Sequence, residues 1–427
     1  MKKIIMVFIY LSVGTCYGQA IDSASRQADS YFKEAAAAAR NQHVWNAQIY
    51  GPMFFVDPKS RLTYANMPDS AGILKPDGPV YKGILPEEVI IANTAVHWEG
   101  RMWSVMLWPM LKDHDERVNL MMHESFHRMQ AKIGLPELSP TIEHMSSMYG
   151  RIYFLLELKA LEAALSKPLD QRSVDLTNAL IFRQKRHELF PGTFKNERIL
   201  EMSEGLAEYT GVILGRPKGS IRQHLYHQID TAGQRKSLIR SCAIITGPVY
   251  GYLLYEKNPR WTLKVDSNSD FPLLIAEYYH IGLPKHESDI MIARLEKEYN
   301  GDAIIRSEKI KEEHRLQIVK QYIELFTQQP VLTITLQKMG ISFNPNTLFD
   351  LSDYGTVYPT AEVKDTWGTL SVTANGMLMK DWKIITLPAS EGLNINNRMI
   401  ECNGWKINLN DGWKVSKVDA LHYILTK

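Results

Sequence analysis

The chain has 427 residues, of which 45% are hydrophobic and 22% charged, with a formal net charge of +2. That length exceeds one ordinary hydrophobic core and implies two or three domains. The near balance of charge excludes a field strong enough to gather nucleic acid or an anionic membrane, so no nucleic-acid partner is expected.

Lys2 and Lys3 precede an apolar run from Ile4 to Val13 and a small or polar stretch from Gly14 to Ala20. This is the pattern of a signal peptide spanning residues 1–20, so the mature protein is expected to be exported, either periplasmic or secreted. No later segment reaches the ~20 consecutive apolar residues of a membrane span, and no transmembrane segment is expected after cleavage. Val-Gly-Thr-Cys loosely resembles a lipobox; Thr15 suits it poorly, which makes anchoring through Cys16 the weaker alternative. Once the leader is removed, Cys242 and Cys402 remain, and their spacing leaves pairing open.

Ser23 to Arg40 reads as an Ala-rich helix. Gly51 to Asp69 and Glu87 to Leu111 each read as two strands, around Pro-Lys-Ser and Glu99-Gly100 turns, which gives a small antiparallel sheet. Helical patterns follow over roughly Asp115–Ile133, Ile142–Ser166, Val174–Leu189 and Glu197–Leu214, then through Ile221–Tyr255, Pro272–Tyr279 and Ala303–Thr327. From about Gln329, β-forming runs alternate with Gly, Asn and Asp turns. The fold class is α+β: a sheet, a mostly helical middle and a C-terminal β-rich domain.

Within the first of these helices lies LMMHESFHRMQ, Leu120 to Gln130. Histidines at i and i+4 share one helical face, about 5–6 Å apart at Cβ, so His123 and His127 can reach a single zinc ion. Glu124 between them would sit beside a metal-activated water and take its proton. Asp113 and Glu116 have the spacing of a helix-starting capping box, and Val118, Met122, Phe126 and Met129 form an apolar stripe that can anchor the helix. A pentad of this kind also arises by chance as surface decoration, so the reading needs a third ligand.

The candidate lies in LEMSEGLAEYTG, where Glu201, Glu204 and Glu208 fall on one helical face with Tyr209 at its edge. Runs of carboxylates are usually solvated faces. Here Gly205 permits close approach of another backbone, and Leu206-Ala207 keep the neighbouring face apolar and small. His-Glu-x-x-His followed by Glu-Gly-x-Ala-x-Tyr resembles the gluzincins, zinc metallopeptidases of the peptidase MA-like group. The resemblance implies one zinc ion on His123, His127 and Glu204, with Glu124 as general base. In the family's commonest form an Asn stands before the ligand Glu and the spacer is shorter; here Ser203 holds that place, and residues 128 to 203, 76 positions, separate the motifs. The intervening helices can be looped out between two fixed ligand helices. On this resemblance residues 21–328 form a zincin-like metallopeptidase domain and 329–427 a β-rich domain on which the motifs are silent.

Glu201 and Glu208 are candidates to accept a hydrogen bond from a ligand histidine, and the sequence does not choose between them. Glu157 and Glu162 are weaker carboxylates on an ordinary amphipathic helix. An oxyanion donor is sought in TGPVYGYLLYE, where Gly247-Pro248 breaks or begins a helix and Tyr250 is the first choice, ahead of His227 and His280. The strand at Arg101 to Pro109 is comparable to one that, in zincins, pairs with an extended peptide; Trp103 and Trp108 on it serve more simply as core. The expected function is therefore an exported zinc metallopeptidase acting on peptide or protein substrates. Two alternatives stay open: a non-catalytic binding protein on a zincin scaffold, and a zinc hydrolase of a non-peptide bond.

Overall fold

The computed structural model describes residues 22–40, 44–283, 285–344 and 347–427. The expected leader at 1–20, with Cys16, lies outside the described residues. The fold is α+β, with an N-terminal sheet, a helical middle and a C-terminal β-rich region. No described helix is long and apolar enough to cross a membrane.

Helix α1 (Ser23–Ala38) starts where the Asp22 carboxylate accepts from the Ala24 backbone N–H. Strands β1 (Met53–Val56), β2 (Leu62–Ala65), β3 (Lys75–Asp77), β4 (Val80–Ile84), β5 (Thr94–Trp98) and β6 (Arg101–Leu107) form one sheet in the order β3-β4-β2-β1-β6-β5. The four strands read from sequence are present. The sheet differs from expectation by gaining β3 and β4 and by pairing β1 with β6 in parallel, so it is mixed. The β1–β2 turn is closed by the Asp57 carboxylate, which accepts from the backbone of Lys59 and Ser60 and thereby satisfies donors that the ladder leaves free. Phe54, Val56, Trp103 and Val105 bury one face of the sheet; Phe55, on the other, stacks on Phe32 of α1 at 4.5 Å.

Helix α2 (His114–Gln130) begins where the Asp113 side chain accepts from Glu116 N at 2.9 Å, as the capping spacing predicts. Its stripe of Val118, Met122, Phe126 and Met129 is buried. Then come α3 (Met148–Ser166), α4 (Ser173–Leu189), α5 (Phe194–Leu200), a single π-helical turn at Glu201–Gly205, α6 (Leu206–Gly215), α7 (Lys218–Ala232), α8 (Ala243–Lys257), α9 (Phe271–Tyr279), α10 (Asp289–Glu298) and α11 (Gly301–Thr327). Two differences from the sequence reading matter. The stretch Ile221–Tyr255 is two helices, and Gly247-Pro248 neither breaks nor begins a helix but lies inside α8.

The chain forms two compact units that alternate along the sequence. The first takes the chain up to Pro140, then Lys195–Tyr226 and Ala243–Ile281; the second takes Thr141–Phe194, His227–Cys242 and Gly282–Lys427. The segment 141–194, which separates the two motifs, thus leaves the first unit and the chain returns to it at Lys195.

In the second unit the residues after Val331 build a seven-stranded and a six-stranded sheet that share one core. Leu332, Ile334, Ile385 and Leu387 come from one sheet, Val363, Leu370 and Ile407 from the other. Met377-Leu378-Met379 is buried throughout because alternation sends Met377 and Met379 into that core, while Leu378 packs with Phe326 of α11. Cys242 and Cys402 are not joined to each other by a disulfide.

Candidate metal centre

Helices α2 and α6 run antiparallel and touch backbone to backbone. A Cβ on Gly211 would lie 2.7 Å from the Asn119 carbonyl oxygen, so only glycine fits there, and this near contact brings the two helix faces into register. On the α6 side the π turn is held the same way: a Cβ on Gly247 of α8 would fall 2.3 Å from Gly205 Cα. Reading up α2 against the other chain segment running down, Asn119 meets Glu208, His123 meets Glu208 and Glu204, His127 meets Glu204, and Gln130 meets Ser203.

The result is a tight triangle. His123 Nε2 and His127 Nε2 lie 3.2 Å apart, and Glu204 Oε2 is 3.6 Å from each. Ligand atoms about 2.0–2.1 Å from a tetrahedral zinc stand about 3.3–3.4 Å from one another, so the triangle's edges lie within about 0.3 Å of those of three zinc ligands. The three side chains are part-buried, at 13%, 18% and 24% exposure. Among the described residues this is the one group of three His, Cys, Asp or Glu side chains close enough to hold a metal.

Proton positions sharpen the point. His123 Nδ1 faces Glu208 Oε2 at 2.9 Å, and His127 Nδ1 faces Gln130 Oε1 at 2.8 Å. Both partners are acceptors, so both Nδ1 atoms donate, and in the neutral rings both Nε2 atoms direct lone pairs at each other and at the Glu204 carboxylate. Three acceptors converge with no donor among them, an arrangement that a cation would complete. Given protons alone, it draws one onto His123. Burial disfavours the imidazolium, but the hydrogen bonds it donates to the Glu204 and Glu208 carboxylates outweigh it and push the pKa up to about 10. Burial likewise disfavours the charged carboxylates of Glu204 and Glu208, yet their histidine partners hold both below the usual range.

Glu124 is 4% exposed, and its Oε2 has no hydrogen-bond partner among the described residues. Burial pushes its carboxyl up, with His123 and His127 opposing, so it is a stronger base than a surface glutamate. An unsatisfied buried carboxylate oxygen next to a triangle of lone pairs fits a catalytic metal better than a structural one.

The other expected residues separate. Glu208, not Glu201, supports His123; the π turn advances less angle per residue than an α turn and rotates Glu201 off that face, where it accepts from Thr246 Oγ1 of α8 at 2.7 Å. Tyr250 has no exposed surface and its ring stacks on Phe271 at 5.4 Å, within the core. His227 and His280 are exposed, the latter capping α9. Glu157 faces Arg183 and Arg186, and Glu162 pairs with Lys159. Strand β6 cannot pair with a peptide because β1 and β5 occupy both of its edges, and Trp103 is core, its indole donating to the Trp98 carbonyl. Tyr209 is buried too, accepting from Trp261 Nε1 at 3.0 Å.

Three site residues were not anticipated. Asn119 and Gln130 lie one turn to either side of the histidines on α2, a position that spacing alone could have flagged. Ser139, whose Oγ donates to Glu204 Oε1 at 2.9 Å, sits in an irregular segment without a sequence signal. No protein-family model, no curated protein and no solved structure matches this chain. The two motifs and this geometry are therefore what speaks for the site.

Proposed function

We propose that the chain is an exported zinc-dependent metallopeptidase of gluzincin type. His123, His127 and Glu204 would hold one zinc ion, and Glu124 would act as general base. The observation that carries the reading is the convergence of two imidazole lone pairs and a carboxylate oxygen at zinc-ligand spacing, with the unpartnered Glu124 carboxylate adjoining them. Zinc, when bound, supplies Lewis acidity that brings a water's pKa toward ~7 and polarises a carbonyl.

The chain's own residues do the rest. Glu208 and Gln130 keep the Nδ1 protons of the two histidines turned outward, so that both Nε2 lone pairs remain available. Glu124, made more basic by burial, takes the proton of the attacking water and returns it to the leaving amine. Export is supported by the basic-apolar-small pattern of residues 1–20.

Metal analysis of the purified protein should find one zinc, lost in His123→Ala and in Glu204→Ala. Peptide hydrolysis in a broad substrate screen should be abolished by a chelator and restored by zinc. Glu124→Gln should keep the metal while turnover falls by about 10²–10⁴-fold; unchanged turnover in that variant ends the account of Glu124 as base.

A further inference from the structure

Gln130, the last residue of α2, is 1% exposed, and its amide is engaged in three directions. Its Oε1 faces His127 Nδ1 at 2.8 Å, while its Nε2 donates to the Pro136 carbonyl and lies 3.1 Å from Ser203 Oγ. A carbonyl can only accept, so the amide cannot be turned over: the oxygen must face the imidazole. His127 Nδ1 is thereby fixed as a donor and its Nε2 as a lone pair, the reverse of the tautomer that an isolated neutral imidazole prefers.

The same amide ties together three pieces of chain that build the triangle. His127 is on α2. Ser203 is in the π turn beside Glu204. Pro136 belongs to the irregular segment that also carries Ser139, the partner of Glu204 Oε1. The histidines are also supported differently, His123 by the Glu208 carboxylate and His127 by a neutral amide.

We infer that Gln130 is a positioning residue of the metal centre, setting the tautomer of His127 and with it the direction of the Nε2 lone pair. This rests on the triad being a metal site. The test uses full-length protein and two readouts besides activity: zinc affinity by chelator competition, and the visible absorption of the cobalt(II)-loaded protein. Q130A should bind zinc about 10–100-fold more weakly and change the cobalt spectrum, as loss of a ligand's outer partner does. Q130E keeps an acceptor for His127 and should restore the wild-type cobalt spectrum and most of the affinity.

Q130A with wild-type affinity and spectrum overturns the inference. So does Q130E with the spectrum and affinity of Q130A, since that pattern assigns Gln130 a role in packing alone. Should Q130A not fold, Q130E decides: retention of the wild-type spectrum supports the inference and its loss overturns it. Wild-type protein that binds neither zinc nor cobalt removes the metal-site reading itself, an outcome distinct from any in which wild type binds and the variants do not differ.

Discussion

Two groups of buried ionisable side chains invite comparison, one in each compact unit. In the second unit Glu157 lies between Arg183 and Arg186, one carboxylate oxygen 3.2 Å from the first guanidinium and the other 2.7 Å from the second. Each acceptor there meets a donor, and opposite charges offset the desolvation of both. In the first unit His123, His127 and Glu204 point acceptors at one another and send their protons outward. Burial of charge is common to both and marks neither as functional; the difference lies in whether the group closes on itself. In the Glu157 group both carboxylate oxygens meet a guanidinium, whereas the three facing atoms of the triad are all acceptors, an arrangement that a cation would complete.

That contrast is most exposed to failure in stability measurements. Glu157→Gln removes the counter-charge between two buried guanidinium groups and should lower stability by about 3–5 kcal/mol, with zinc content unchanged. His123→Ala should instead lose zinc, so that its stability no longer responds to the metal. Chemical denaturation of both variants with and without zinc checks the pair of outcomes. A Glu157→Gln protein as stable as wild type would show the arginines to be satisfied without that carboxylate.

Zinc itself should act on one of the two groups only. At a free concentration about 100 times its dissociation constant, zinc should stabilise the wild-type protein by about 2.7 kcal/mol, and a His123→Ala protein not at all. Equal stabilisation of both would place the bound ion elsewhere. One step outward, Glu208→Ala removes the acceptor of His123 Nδ1 and should weaken zinc binding by about 10–100-fold, read by chelator competition.

How far sequence reached follows from the same comparison. His123, Glu124 and His127 lie within one helical turn, so spacing alone places them together, and the cap at Asp113 and the stripe through Phe126 fix the helix that carries them. Glu204 required a second motif, and its approach to the histidines depends on Gly205, Gly211 and Gly247 clearing space for backbone contact, of which the sequence reading anticipated Gly205. Glu201 could not be separated from Glu208 because an α-helical wheel puts both on one face, and nothing in Glu-Met-Ser-Glu-Gly announces a π turn. Tyr250 was chosen from a Gly-Pro break that is not a break: Pro248 is accommodated inside α8, and the ring turns into the core against Phe271. For strand β6 the core reading of Trp103 was preferred to a place along the cleft; its sequence indicates a strand but not its neighbours, and β5 covers the side left free by β1. Local pattern thus carried the helices and strands, and long-range pairing carried what the pattern could not.

The smallest expected effect tests the boundary of the triad. Ser139 Oγ donates to Glu204 Oε1, the carboxylate oxygen that does not face the histidines. The Glu204 side chain is 24% exposed, so after Ser139→Ala water can replace the lost hydroxyl at that oxygen. A replaceable hydrogen bond of this kind contributes about 0.5–1.5 kcal/mol net, which corresponds to zinc affinity falling by about two- to tenfold, with the cobalt(II) spectrum unchanged. A loss as large as that expected for Glu208→Ala would mean that the segment around Ser139 sets the position of Glu204 itself. The triad would then close through a loop as well as through two helices, and its contrast with the Glu157 group, which is held by helices α3 and α4, would widen.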